Sequence, residues 1–144
     1  MSTFPDSLRT ELRALLGTEF LIESGESLET LSKDFYWYSP VLKRQLDEKR
    51  ADVVARPASI AQAQAVVAAC FRAGVPIVPR GAGTGNYGQC VPLYGGVVID
   101  LARLDRIHSV AGGVLRAEAG ARLGTIETVA RAEGWELRCL PSTW

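Results

Sequence analysis

The sequence predicts an α+β fold with mixed strands, and three observations carry that expectation. Leucines recur at helical spacing near the start, and a strand–helix–strand succession occupies residues 51–79. A further apolar strand, a Gly-Gly hairpin signal and a short helix then follow. With 144 residues, 47% hydrophobic and 22% charged, the chain has enough apolar material for a core.

Leu8, Leu12, Leu15 and Leu16 share one helical face, Pro5-Asp6-Ser7 supplies capping chemistry, and Gly17 supplies the stop. Residues 18–33 read as connecting segments. Asp34-Phe-Tyr-Trp-Tyr-Ser-Pro40 places four rings side by side, and neither helix nor strand geometry can turn all four to one core. Some therefore meet a partner surface, another part of the chain or a ligand; a loop pinned by aromatic packing is the plainer alternative. Lys43 to Arg50 reads as a solvated linker.

Ala51 to Pro57 reads as a short strand ended by proline. Ser59-Ile-Ala-Gln62 is a capping box that opens an alanine-rich helix running to about Ala73, with Gly74 as its terminating glycine. The buried stripe of that helix is expected at Ile60, Ala63, Val67, Cys70 and Phe71, with Val66 beside it. Val75 to Pro79 is short and β-branched and completes a βαβ unit. Gly95 to Leu101 is a buried strand, and Val110-Ala-Gly-Gly-Val114 carries the hairpin signal. Leu115, Ala117 and Ala119 alternate with Arg116 and Glu118, giving a strand with one wet face. Leu123 to Glu133 is a helix with Ile126, Val129 and Ala130 inward, closed by Gly134.

Several functions are excluded at this level. Sixteen basic and sixteen acidic residues cancel, so no charge argues for nucleic acid or an anionic membrane. No apolar run reaches the ~20 residues that span a bilayer. The first residues lack the basic-then-apolar layout of a signal peptide, which leads to the expectation of a cytoplasmic protein. Cys70, Cys90 and Cys139 are far apart, which argues against a disulfide framework or zinc site and for small buried hydrophobes. His108 is the sole histidine, so two-histidine metal sites and histidine relays are excluded, and a surface position is expected for it. No metal site is expected.

The chemistry concentrates in Pro79-Arg-Gly-Ala-Gly-Thr-Gly-Asn-Tyr-Gly88. Arg80 is the only charged residue between Gly74 and Val98. Glycines let backbone approach a ligand, and consecutive N–H groups in such a loop converge into an anion-binding nest. An extended pyrophosphate is the kind of anion that fills it. Gly83 to Gly88 matches G-x-G-x-x-G, but that fingerprint must open a helix, and here Gln89-Cys-Val-Pro92 and Gly95-Gly96 follow. A P-loop fails because no Gly-Lys-Ser/Thr ends the run. A glycine loop without any ligand is the plain alternative. Its position between two buried strands, without polar flanks, weighs against that.

Three stretches together resemble the FAD-binding (PCMH-type) domain of vanillyl-alcohol-oxidase-type flavoproteins, the group that includes D-lactate and glycolate dehydrogenases. They are Arg56-Pro-Ala-Ser-Ile-Ala-Gln-Ala-Gln-Ala-Val-Val, Gly74-Val-Pro-Ile-Val-Pro-Arg-Gly-Ala-Gly-Thr-Gly and Gly96-Val-Val-Ile-Asp-Leu-Ala-Arg-Leu-Asp. The resemblance implies the first half of such a domain, with residues 1–49 as an N-terminal helical arm and linker and residues 50–144 as a truncated FAD-binding domain. By the same resemblance Arg80, Gly81, Ala82, Gly83, Thr84, Gly85, Asn86 and Gly88 line the FAD phosphates, and Pro79 shapes the strand exit. Thr84 stands where some members carry a histidine bonded covalently to the flavin, so FAD is expected to be held non-covalently. Ser32-x-Asp34 resembles a serine–aspartate element that precedes the domain in many members.

The implied activity is FAD-dependent oxidation of a hydroxyl-bearing small molecule such as a 2-hydroxy acid. Catalytic acids or bases are not expected within these residues, and Glu118 and Glu127 are placed on wet faces. The chain ends at Leu140-Pro-Ser-Thr-Trp144, before a second glycine-rich segment and the substrate domain of the family. A missing C-terminal domain or a partner chain is therefore expected. The alternatives are a non-catalytic nucleotide-binding module completed by another chain, and a Rossmann-type NAD binder with a helix starting near Tyr87.

Overall fold

The computed structural model describes residues 4–141, so the expectation attached to Trp144 lies outside the described residues. Helix α1 spans Asp6–Leu16 and buries Leu8, Leu12 and Leu16, as the leucine spacing predicts. The expected side-chain cap is absent: Pro5 stands at the N-cap position, and Asp6 and Ser7 fall inside the helix. Asp6 still complements the positive end of the helix from the first turn.

Residues 18–33 are more ordered than connecting segments. They form a 3₁₀ turn at Thr18–Phe20, strand β1 at Leu21–Ile22 and helix α2 at Glu26–Leu31. Elements of two and six residues are too short to show a period. The charged stretch after the aromatics is likewise not all linker, because helix α3 spans Pro40–Leu46 and buries Leu46. Its signal was local: Ser39 caps the amide of Leu42, and Pro40 occupies the first turn, where a missing N–H costs nothing.

Strand β2 is Val53–Ala55, helix α4 is Ile60–Ala73, strand β3 is Ile77–Arg80 and strand β4 is Val97–Asp100. The α4 cap forms as expected: Ser59 Oγ accepts from Gln62 N, and Gln62 Oε1 accepts from Ala58 N. The buried face is shifted, keeping Cys70 of the expected stripe and Val66 beside it. Val66, Ala69 and Cys70 are buried, whereas Ile60, Val67 and Phe71 are exposed, Phe71 to 84%. In an alanine-rich helix the small residues permit close approach to the sheet and to α1, so the larger side chains fall on the outer face.

The sheet order is β1-β2-β4-β3. β1 pairs antiparallel with β2, while β2, β4 and β3 are mutually parallel, with Val53 and Ile77 both opposite Val97. The expected β2–α4–β3 unit therefore skips one position, and β4 inserts between its strands. Composition decides this. Every residue of β4 is buried, which suits a central strand, whereas β3 is flanked by Pro76 and contains Pro79, which suits an edge.

Val53, Ala55, Val97 and Ile99 face α1 and α4 in the main core. Val54 and Val98 face the opposite side, under Leu28 of α2 and Ala51. Beyond the sheet, strands β5 (Ile107–Ala111) and β6 (Val114–Ala117) form the expected hairpin. Gly112 and Gly113 both take positive φ, the requirement of a two-residue turn that matches strand twist. Helix α5 spans Leu123–Ala132.

Leu12 is fully buried where α1 meets α4. Leu12→Ala should cost about 2–5 kcal/mol of unfolding free energy, read as a lowered urea midpoint at unchanged slope.

Candidate functional site

Arg80 ends β3 at the carboxyl edge of the parallel strands, the edge where open α/β sheets place ligands. The chain then runs through residues 81–96 in turns and bends, with no helix. No helix starts near Tyr87, so the Rossmann expectation fails on geometry.

The loop is organised around the Arg80 side chain. Arg80 is 8% exposed, and Nη1 donates to the carbonyl of Lys33 at 2.6 Å. Among the described residues no carboxylate forms an ion pair with it. Gly83, at φ 70°, has the guanidinium lying where a Cβ would stand, so no larger residue fits there without displacing the cation. Among the described residues, no protein group accepts from the backbone amides of Gly81, Ala82, Gly83, Thr84, Gly85 or Asn86. Tyr87 N donates to Gln89 Oε1 at 3.0 Å, and Gly88 N donates to Asp34 Oδ1 at 3.2 Å.

The nine residues singled out from the sequence thus lie along one turn. Arg80 and Gly83 are buried, Gly81, Thr84, Gly85 and Gly88 are half-buried, and Pro79, Ala82 and Asn86 are exposed. A buried guanidinium without a counter-ion is costly, and amides without protein acceptors are free to donate to a ligand. An anion with several oxygens meets both conditions. The residues present therefore fit the pyrophosphate of FAD.

The opposite wall comes from residues 32–36. Ser32, fully buried, donates to Leu28 O at 2.7 Å and accepts from Ala51 N at 3.0 Å. Asp34 Oδ1 also accepts from Tyr36 N at 3.0 Å, while Asp34 Oδ2 is buried without a partner. Phe35 N donates to Gly85 O at 2.7 Å. The aromatic run divides its duties accordingly. Tyr36 is 1% exposed and packs with Leu46 and Val91, and its hydroxyl donates to Asp47 Oδ1 at 3.1 Å. Phe35, Trp37 and Tyr38 stay outside and pack on one another, with the Trp37 and Tyr38 rings stacked at 4.0 Å.

Sequence reasoning missed three supports of the loop. Leu46 of α3 stands 2.6 Å from where a Cβ on Gly88 would sit. The carbonyl of Ala119 lies 3.7 Å from the corresponding point on Gly81. Leu101 N donates to Arg80 O, and beside it buried Asp100 pairs with Arg56 at 2.9 Å. Only the first had a local signal, the Ser39-Pro40 cap.

The tempting carboxylates divide. Glu118 is half-buried and accepts from Arg106 N. Glu127 is not on a wet face: it is 4% exposed and accepts from Leu137 N and Arg131 Nε. The Leu137 amide, then Arg131, hold its carboxyl below the usual range, a structural tie from α5 to the segment after it. Burial pushes the Cys70 thiol up to about 11 and raises that of Cys90, which keeps both protonated and unreactive at neutral pH. Cys139 is exposed, contrary to the expectation of a buried hydrophobe. His108 is exposed on β5. Among the described residues no helix is long and apolar enough to cross a membrane.

A parallel sheet whose edge strand empties into a glycine-rich, cation-anchored loop defines a domain for a phosphate-bearing cofactor. The chain belongs to the FAD binding domain family, whose pattern matches residues 51–144. Its cofactor is accordingly FAD. It is 39% identical over 72 residues to the glycolate oxidase subunit GlcD of Escherichia coli (strain K12), a match covering 49% of this chain and 14% of that protein. It is 27% identical over 126 residues to the mitochondrial D-2-hydroxyglutarate dehydrogenase of Arabidopsis thaliana, covering 85% of this chain and 21% of that one. Among solved structures it superposes on an alkyldihydroxyacetonephosphate synthase with a TM-score of 0.80 at 19% identity, over 96% of this chain and 27% of that chain. The chain thus spans a small share of the relatives it matches.

Burial, then the bond to Asp47, pushes the Tyr36 phenol up to about 12 from its ordinary value of 10. The folded state therefore favours the neutral phenol. Its contribution is complete below pH 10 and is lost as the pH rises from 10 to 12. In urea unfolding across that window, wild type should lose stability more steeply than Tyr36→Phe, whose curve lacks this proton.

Proposed function

We propose that residues 79–88 hold the pyrophosphate of FAD non-covalently, in a flavoenzyme that oxidises a hydroxyl-bearing small molecule of the 2-hydroxy-acid class. The observation that carries this reading is the run of acceptor-less amides from Gly81 to Asn86 beside the buried, unpaired Arg80. The amides bind the phosphate oxygens, and Arg80 supplies the compensating charge from beneath the loop. Thr84 and Asn86 add short polar side chains that orient hydrogen bonds. Thr84 offers a hydroxyl and no ring nitrogen, which supports a non-covalent flavin. Pro79 fixes the direction in which the strand leaves the sheet.

Bound FAD supplies the hydride acceptor, and the protein supplies placement and electrostatics. The substrate class is supported by the relatives, one named for glycolate and one for 2-hydroxyglutarate, both 2-hydroxy acids. Those matches cover 14% and 21% of the two proteins, so substrate contacts are assigned to sequence beyond the matched part. A second reading, a binding module completed by another chain, is favoured by the exposed, stacked Trp37–Tyr38 pair. Flavin absorbance that appears only when a second polypeptide is added would support that reading. Yellow protein purified alone supports the first.

Titration with FAD, followed by flavin fluorescence, tests the loop assignment. Gly83→Val and Gly85→Val should each abolish binding while leaving the far-UV signal of α4 in place, because each sets a β-branched side chain where Arg80, or Asp34 and Gln89, already stand. Wild-type affinity in both variants would overturn the assignment.

A further inference from the structure

We infer that Asp34 is a positioning residue for the cofactor, holding the glycine loop in the form that presents its amides, a role that rests on reading residues 79–88 as the pyrophosphate site. Asp34 lies outside the 51–144 span that the family pattern matches. It is 3% exposed, and its neighbourhood is fixed independently of the loop. Ser32 ties the segment to α2 through Leu28 O and to the entry of β2 through Ala51 N.

From that anchorage three bonds reach the loop. Lys33 O accepts from Arg80, Phe35 N donates to Gly85 O, and Asp34 Oδ1 accepts from Gly88 N. The Lys33 and Phe35 contributions come from backbone that any residue possesses. On the segment's side, the bond to Gly88 is the one made by a side chain, so it alone depends on the residue at position 34. Together Phe35 and Asp34 grip the turn at both ends, at Gly85 O and Gly88 N. The intervening backbone is thereby held, and the amides from Gly81 to Asn86 are left for a ligand.

The unpartnered Oδ2 strengthens the assignment. It lies 3.0 Å from where a Cβ on Gly85 would stand. A buried carboxylate oxygen without a donor is unfavourable, a cost that an apolar residue at this position would not carry. An amide at position 34 keeps the acceptor for Gly88 and sheds the charge; a methyl group keeps neither.

The test uses the full chain as wild type, Asp34→Ala, Asp34→Asn and Leu12→Ala, the last as a variant destabilised remote from the loop. Amide hydrogen exchange at Gly85–Gly88 is read without FAD, and FAD affinity by flavin fluorescence, both well below the melting temperatures. Asp34→Ala should accelerate exchange at Gly88 and weaken FAD about tenfold or more, the loss of one charge-assisted hydrogen bond. Asp34→Asn should stay within about threefold of wild type or bind more tightly, and Leu12→Ala should bind FAD as wild type does. If Asp34→Ala does not fold, Asp34→Ser takes its place with the same expected direction, because a hydroxyl is too short to reach both the Tyr36 and Gly88 amides.

Unchanged Gly88 exchange, or unchanged FAD affinity in the truncated variant while wild type binds, overturns the role of Asp34 and leaves the pyrophosphate reading standing. Absence of FAD binding by wild type overturns both.

Discussion

A guanidinium has been taken out of water at the end of an edge strand and given a single carbonyl in return. Arg80 donates to Lys33 O, and that contact joins two stretches of chain 47 residues apart. Much of the site depends on this. Gly83 must lack a side chain because the cation occupies its place, and the loop must leave β3 at the angle the buried arginine allows. A buried guanidinium with no ion-pair partner among the described residues is tolerable chiefly where an anion completes it. The first fifty residues therefore brace the glycine loop, through Lys33, Asp34 and Phe35, as well as forming part of the core through α1 and β1.

The sheet supplies the rigidity that the loop lacks. Three parallel strands with buried valines and isoleucine place the ends of β3 and β4 side by side, and Leu101 N bonds to Arg80 O across that edge. Asp100 finishes β4 by pairing with Arg56, and Arg103 extends the cluster by donating to Arg56 O while lying 3.6 Å over the Phe20 ring. These contacts fix the floor from which the glycine run departs. The hairpin β5–β6 and α5 contribute no residue to the buried clusters of the sheet, and they reach the loop through the backbone near Ala119.

Legibility in the sequence followed the length and periodicity of each element. The α1 leucines, the Ser59–Gln62 cap, Gly74 and the Gly112-Gly113 turn are local signals, and each marks a feature found in the fold. The α4 stripe is legible only in part: Cys70 and Val66 are buried as their spacing predicts, but the buried face turns toward Ala69 and leaves Ile60, Val67 and Phe71 outside. The strand order was hidden since β4 enters from 17 residues after β3, and non-local pairing leaves no local trace. In the site, the glycine run and Arg80 were plain from composition. The clasp of Asp34 on Gly88 was not, because it joins residues 54 positions apart through one side-chain oxygen.

The proline at position 79 has a consequence beyond the direction of the loop. Pro76 and Arg80 turn their carbonyls to β4, so the alternating residues Ile77 and Pro79 direct their backbone to the outer side of the sheet. At Pro79 that side has no N–H to offer. A stray strand from a neighbouring molecule would find its ladder interrupted after a single residue, and the exposed ring would obstruct its approach. Pro79, one residue before the end of β3, therefore leaves this edge of the sheet poorly suited to pairing with another strand.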